Sequence, residues 1–513
     1  MFVVLSACGA GVAVLVQSQS ERDSPDGSQG VRIAIVGSLP VNVAEYAACD
    51  ATELSRLLLG REIGAEEVRE AALRAIEQVN PQLNAVVHGP FEDAAVAEGP
   101  FSGVPFAVKD TLWEVGRPCE LGSRLLDGHV ARRDGTLAER FRESGLVSLV
   151  RTATPEFAFN LDTSPIVNGS TRNPWALDRS AGGSSGGSAA LVAARAVPMA
   201  HGNDGAGSIR LPAGWCGLVG LKPSRGRVPV GPLIGEVPGG IAHEFALTRS
   251  VRDAARLLDA VCAPAPGDRY YVAPPRRPFV EELDSDPRGL RVAIHTEAFW
   301  GRDTEPETRA AVEAVGRRLE ELGHSVEPAS APVDAGALRM AHLILWPWLL
   351  AMTATGFGAL VGREASEDNV EAASLACIRH GLVLTASDAS AAFAIQNAIS
   401  RAWGAFLDDY DLFLCPTSPT GPPEAGHPTQ NDPKYSTAEA WIDDVFDFIP
   451  FTPIANATGQ PSISLPLGMA TDGVPIGVML TAQTLREDLL FNVAAQLEAS
   501  TPWTDRSPAL AAG

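Results

Sequence analysis

Residues 178–227 read DRSAGGSSGGSAALVAARAVPMAHGNDGAGSIRLPAGWCGLVGLKPSRGR, and the chain is organised around them. The stretch is dense in glycine and serine and nearly free of bulky polar side chains. Ser184 stands in GGSSGG and Ser208 in DGAGS. Between them SAALVAARAVP (188–198) is mostly Ala, Val and Leu, which predicts a short buried helix. The order is glycine loop, buried helix, glycine loop, and it can bring two hydroxyls to one place. Glycine lets backbone come close to a ligand, and successive N–H groups in such turns form an anion-binding concavity. A serine at its end can attack a carbonyl while adjacent N–H groups hold the developing oxyanion. A Gly/Ser linker would not continue into AALVAARAVP and WCGLVGL. A phosphate cradle would show GxxxxGK[ST], or GxGxxG after a clear strand, and neither occurs.

The chain around this stretch is ordinary for a soluble enzyme: 513 residues, 45% hydrophobic and 20% charged. A net charge of −22 argues against a nucleic-acid partner and against anionic membranes. Seven cysteines, an odd number with no CxxC, suit a reduced cytoplasmic protein rather than a disulfide framework. The nine histidines are scattered, without HExxH, so no metal centre is expected. Residues 2–16 (FVVLSACGAGVAVLV) are apolar, but shorter than the span of about 20 residues that a membrane needs. They lack the positive flank of a secretory signal. LSAC at 5–8 looks like a lipoprotein cleavage box with too little apolar chain before Cys8. Residues 1–44 are therefore expected to be an extension outside the fold, 45–505 one large domain, and 506–513 a tail.

DATELSRLLLG (50–60) predicts a helix capped by Asp50 or Thr52 and stopped by Gly60. GAEEVREAALRAIEQVNPQLNA (64–85) predicts a second helix, ending at Asn80–Pro81. In GVPFAVKDTLW (103–113) the run VPFAV reads as a buried strand with Lys109 at its end. Desolvation there would lower the lysine's pKa and make it a base. GLVSLVRTATPEF (145–157) repeats the design, a strand followed by a polar loop. Further on, 250–261 and 307–323 read as helices, 289–295 and HSVEPA as strands, and 338–410 as helical. LILWPWLLAM (343–352) reads as core helix in preference to a substrate wall. DLFLCPTSP (411–419), FTPIANATGQPSISLPLG (451–468) and GVPIGVMLTA (473–482) close the sheet. This alternation predicts an α/β fold.

Lys109 in PFAVKD, Ser184 in GGSSGGSAA and Ser208 in DGAGSIRLPAGWCGLVGLKP together resemble the amidase signature hydrolases, over about residues 45–505. The forms HGNDGAGSIRLPA, CGLVGLKPSRGR, FTPIANATGQPSISLPLG and REDLLFNVAAQLE are most similar to the 6-aminohexanoate cyclic dimer hydrolase group. The resemblance implies one large domain with a mixed, mostly parallel β-sheet flanked by helices. It implies amide C–N hydrolysis through an acyl-enzyme, without metal or cofactor. Ser208 would be the nucleophile, Ser184 (in a cis peptide) the bridge, and Lys109 the neutral base. The N–H groups of Gly205, Ala206, Gly207 and Ser208 would form the oxyanion hole, and Ser185, Asp204 and Arg210 would support the site. The partner would be a small amide; many relatives are dimers, so a homodimer is also an expectation.

Several positions depart from the family pattern. Ala206 replaces a glycine and requires an allowed φ. Asn203 stands where threonine is usual. Val150–Arg151, Ala153 and Cys119–Glu120 also depart, and the loops they sit in are expected near the substrate. Two alternatives stand beside this reading. GGSSG (182–186) matches the G-x-S-x-G elbow of an α/β-hydrolase esterase, which would make Ser184 the nucleophile, but ALDRSAG before it is not a buried strand. An amidotransferase A-type subunit, releasing ammonia for a partner, is disfavoured by KPSRGR where Thr-Tyr usually follows Lys-Pro.

Overall fold

A computed structural model of the chain describes residues 41–92, 96–232 and 234–513, together with three strands before them. These are β1 (Ser6–Ala7), β2 (Ala10–Val16) and β3 (Ile33–Ser38), which pair antiparallel in a sheet of their own. The rest of 1–40 lies outside the described residues. Next come β4 (Val86–His88), β5 (Pro105–Lys109) and β6 (Val147–Thr152), then a hairpin of β7 (Arg172–Asn173) and β8 (Ala176–Ser180). They are followed by β9 (Met199–Asp204), β10 (Val219–Lys222), β11 (His243–Thr248), β12 (Arg291–Ile294) and β13 (Ser325–Pro328). The last strands are β14 (Leu412–Pro416), β15 (Ser462–Met469) and β16 (Pro475–Ala482).

Eleven strands form the main sheet, in the order β13-β12-β14-β16-β15-β10-β11-β9-β5-β6-β4. The sheet is mixed and flanked by helices. Parallel pairing is found in β13-β12-β14 and β9-β5-β6; the strands between β14 and β9, and the edge strand β4 on β6, are antiparallel. The reason is connection length. β15 and β16 are joined by a tight turn, which forces antiparallel pairing, whereas β5 and β6 are separated by the helix Thr136–Glu143.

The stretch between the two serines, read as a helix over 188–198, is a helix over Gly186–Ala193, with every residue buried, and turns after it. Such a helix is apolar all round because it has no solvent face. A Cβ on Gly187 would stand 2.4 Å from the Ala153 backbone nitrogen, so this close approach to the chain after β6 needs glycine.

Local capping follows the sequence at the amino-terminal side. Asp50 accepts from Glu53 N–H at 2.9 Å, and Gly60 caps the helix Ala51–Leu59. The next helix does not stop at Pro81. It runs Ala65–Leu83, because proline in a last turn forfeits only one hydrogen bond while Leu83 is buried in the core. Asn84 (φ 54°) ends it, and Asn80 Oδ1 accepts from Ala85 and Val86 N–H, turning the chain into β4. The stretch 451–468 divides into a helix, Thr452–Thr458, and β15.

The boundaries are tied to the core. Tyr46 is buried and donates its hydroxyl to Ala196 O at 3.0 Å. Residues 506–513, read as a tail, form no helix or strand, but Leu510 N–H donates to Pro174 O and Ala512 N–H to Ala194 O.

Candidate active site

Parallel pairing of β5 and β9, with Ala107 opposite Ala200, places Lys109 and the Asn203–Asp204 pair at one end of the sheet. The chain after β8 then brings Gly183 and Ser184, joined by a cis peptide, over the same end. Lys109 is fully buried, and its Nζ reaches Asn203 Oδ1 at 2.6 Å, Ser184 Oγ at 2.7 Å and Ser185 Oγ at 3.0 Å. Burial lowers the Lys109 ammonium to about 7, against the upward pull of Glu244 and Asp204.

The loop after β9 carries Ser208. Its anchor is Asp204, which is fully buried and meets Arg210 with two bonds of 2.9 Å, Nε to Oδ2 and Nη2 to Oδ1. Asn456 completes the knot, donating to Asp204 O at 2.8 Å and Oδ1 at 2.9 Å, and accepting from Arg210 at 2.6 Å. Burial alone would raise the Asp204 carboxyl, but Arg210 and Asn456 hold it well below the ordinary carboxylate range. Thr452 Oγ1 donates to Ala206 O at 2.6 Å and fixes the middle of the loop. Ala206 keeps a negative φ, as its side chain requires, while Gly207 takes φ 131° with Thr452 where a Cβ would stand.

One expected oxyanion donor is corrected. The Gly207 N–H donates to Asp204 Oδ1 at 2.7 Å and is not available to a substrate. Among the described residues, the amides of Gly205, Ala206 and Ser208 have no such acceptor. Ser208 is half-buried, and its Oγ opens on a cavity of about 1050 Å³ shared with Ser184, Asn203 and Gly205.

The far wall of that cavity is the helix Ala335–Val361, which presents Trp346, Leu349, Leu350, Thr353 and Phe357. The reading of 343–352 as core alone is therefore corrected: one face packs inside and the other faces the substrate space. Trp346 stacks on Phe159 with ring centroids 5.1 Å apart and sits where a Cβ on Gly205 would be, 2.6 Å away. The other family departures lie elsewhere. Arg151 is fully buried beside Glu114 at 3.3 Å, Glu120 bonds His88 at 3.0 Å, and none of Cys119, Glu120, Val150, Arg151 and Ala153 lines the cavity.

The structure thus joins Lys109, Ser184 and Ser185 directly, seats Ser208 in the same cavity, and places Asp204 and Arg210 beneath its loop. Asn203, Asn456, Thr452 and Trp346 escaped notice as site residues. Asn203 had a visible signal, as a departure beside Asp204; the others come from distant segments.

A family model described as Amidase matches residues 67–491. The chain belongs to the amidase family. It is 39% identical to the 6-aminohexanoate-cyclic-dimer hydrolase of Paenarthrobacter ureafaciens, over 90% of this chain and 96% of that one. It is 32% identical to an acylamidase of Rhodococcus erythropolis, over 90% and 97%. The solved structure of a 6-aminohexanoate cyclic dimer hydrolase complexed with substrate superposes with a TM-score of 0.86 at 37% identity, covering 90% of this chain and 99% of that chain. The protein is accordingly a hydrolase of amide C–N bonds. GGSSG is not a nucleophile elbow: β8 lies in a separate hairpin, and Ser184 bonds a lysine, not a histidine.

Proposed function

We propose that this amidase works through Ser208 as nucleophile, Ser184 as proton bridge and Lys109 as base. The observation that carries the reading is the set of partners around Lys109 Nζ. A neutral amine has two hydrogens and one lone pair. Asn203 Oδ1 can only accept, and its orientation is fixed because its Nδ2 donates to Thr111 Oγ1 at 3.2 Å and towards Glu244 at 3.5 Å. Ser185 spends its own hydrogen on Asn203 O at 3.3 Å, so it too accepts from Nζ. The lone pair is left for the Ser184 hydroxyl, which is the direction a relay from Ser208 needs.

Ser208 Oγ then attacks the carbonyl carbon as its proton passes to Ser184 and the Ser184 proton passes to Lys109 Nζ. The oxyanion is held by the amides of Gly205, Ala206 and Ser208, each contributing about 3 kcal/mol. Collapse breaks the C–N bond, and the amine leaves with a proton returned through Ser184. Water cleaves the acyl-enzyme by the reverse route. Small aliphatic amides, linear or cyclic, fit the largely apolar cavity and accord with the substrate named for the cyclic dimer hydrolases. The six cysteines among the described residues are unpaired, which fits a cytoplasmic setting.

Fluorophosphonate treatment followed by peptide mapping tests the reading. A single adduct on Ser208, lost in Lys109→Ala, is expected. An adduct on Ser184 alone would overturn the assignment.

A further inference from the structure

Glu244, on β11, lines the cavity that holds Ser208 and is its one charged wall residue among the described residues. Among the described residues, no arginine or lysine forms an ion pair with it. Its Oε2 accepts from His201 Nε2 at 2.7 Å and its Oε1 from Asn203 Nδ2 at 3.5 Å. Burial lowers the His201 imidazole below its ordinary range, which favours the neutral ring as a hydrogen-bond donor to Glu244. Its side chain is 19% exposed, open to the cavity rather than sealed.

A second cavity of about 730 Å³ adjoins the first, and Val237, Ala242 and Glu244 line both. The other charged groups there have hydrogen-bond partners of their own. Glu236 is paired with Arg269 at 2.6 Å and with the Tyr270 hydroxyl. Arg225 donates to the carbonyls of Gly240, Asn456 and Ala457 at 2.8–2.9 Å. Asp268, which lines only the second cavity, adds another carboxylate. The junction therefore presents a carboxylate that no arginine or lysine ion-pairs among the described residues, facing methylene-compatible walls such as Trp113, Leu137 and Leu349. A carboxylate taken partly out of water favours a ligand that brings the opposite charge.

We propose that Glu244 is the recognition site for a primary ammonium on the substrate, so that the preferred amides carry an aliphatic chain ending in a protonated amine. The proposal rests on the Ser208 reading and names the substrate class for that site. It also ties binding to the base. Glu244 reaches Lys109 through Asn203, and its charge favours the lysine's ammonium form. A bound cation cancels that field and releases the free base.

The test compares 6-aminohexanoyl p-nitroanilide with its N-acetyl counterpart. The wild-type enzyme is expected to favour the ammonium form at least tenfold in kcat/KM, and Glu244→Gln to reduce that ratio at least tenfold. Equal use of both substrates by the wild type, or an unchanged ratio in the variant, overturns the proposal. A shifted pH profile with an unchanged ratio overturns it too, and makes Glu244 a tuner of Lys109. A second measurement needs no variant: n-hexylammonium, but not 1-hexanol, should slow fluorophosphonate labelling of Ser208 in the wild-type enzyme, and equal slowing by both overturns the proposal. Amide cleavage with no label on Ser208 would instead count against the triad reading.

Discussion

The cradle beneath Ser208 and the helical wall facing it are built by opposite means. In the cradle, direction decides everything. Asp204, Arg210 and Asn456 are fully buried and bond one another at 2.6–2.9 Å, and Lys109 has three partners within 3.0 Å. In the wall, Trp346, Leu349, Leu350 and Phe357 act by shape and area. A buried polar knot tolerates no missing member, because the partner left behind keeps its desolvation cost. An apolar wall can lose a side chain and merely bind differently.

The sharpest break of that comparison is at the relay. Ser208→Ala and Lys109→Ala should each lower kcat/KM for a good amide by roughly 10³-fold or more with the fold intact, checked by circular dichroism. Next comes the knot. Asp204→Ala leaves Arg210 charged, buried and unpaired, and should cost about 3–5 kcal/mol in denaturant unfolding. Asn456→Ala removes several bonds without stranding a charge among apolar groups, and about 1–3 kcal/mol is expected. At the wall, Trp346→Ala should raise KM about tenfold and change kcat much less. If Trp346→Ala instead lowered kcat at constant KM, the wall would belong to the chemical step and the contrast would fail.

That contrast also explains what the sequence made legible. Lys109, Ser184, Ser185, Asp204, Ser208 and Arg210 sit in short glycine-rich or strand-end motifs, where backbone conformation and function use the same residues. Glycine loops single out Ser184 and Ser208 and a strand end singles out Lys109, whereas Ser185, Asp204 and Arg210 enter through the family resemblance. Gly207 shows the limit: glycine signals a sharp turn, but only coordinates reveal that its N–H turns back to Asp204. Asn456 and Thr452 reach the loop from more than two hundred residues away, and nothing local marks them. The wall was misread for a related reason. LILWPWLLAM is apolar on both faces, so periodicity cannot tell a face packed in the core from one turned to a cavity. Strand–helix alternation marks an α/β fold but not the direction of each pairing, which is antiparallel through the centre of the sheet.

The remaining effect is the most specific to the cradle, because it depends on protons rather than on missing atoms. Lys109 must be neutral to act, and burial lowers it to about 7. The kcat/KM profile should therefore rise with pH and level off above that value, falling about tenfold per unit on the acid side. The same shift has a cost in stability. A lysine in the unfolded chain titrates near 10.4, so the unfolded state binds more protons than the folded one between pH 7 and 10. Below pH 7 both states are protonated and the penalty is complete; it shrinks as pH rises and is gone above about 10.4. Lys109→Met removes the titration, though it strands Asn203 Oδ1 and Ser185 Oγ at every pH. The variant's stability relative to wild type should therefore be greatest at or below pH 7 and decline steadily towards pH 10, by a few kcal/mol in all, measured as urea midpoints across the range. A difference that stays flat with pH would mean that Lys109 keeps an ordinary pKa in the folded protein, and that the base of the reaction lies elsewhere.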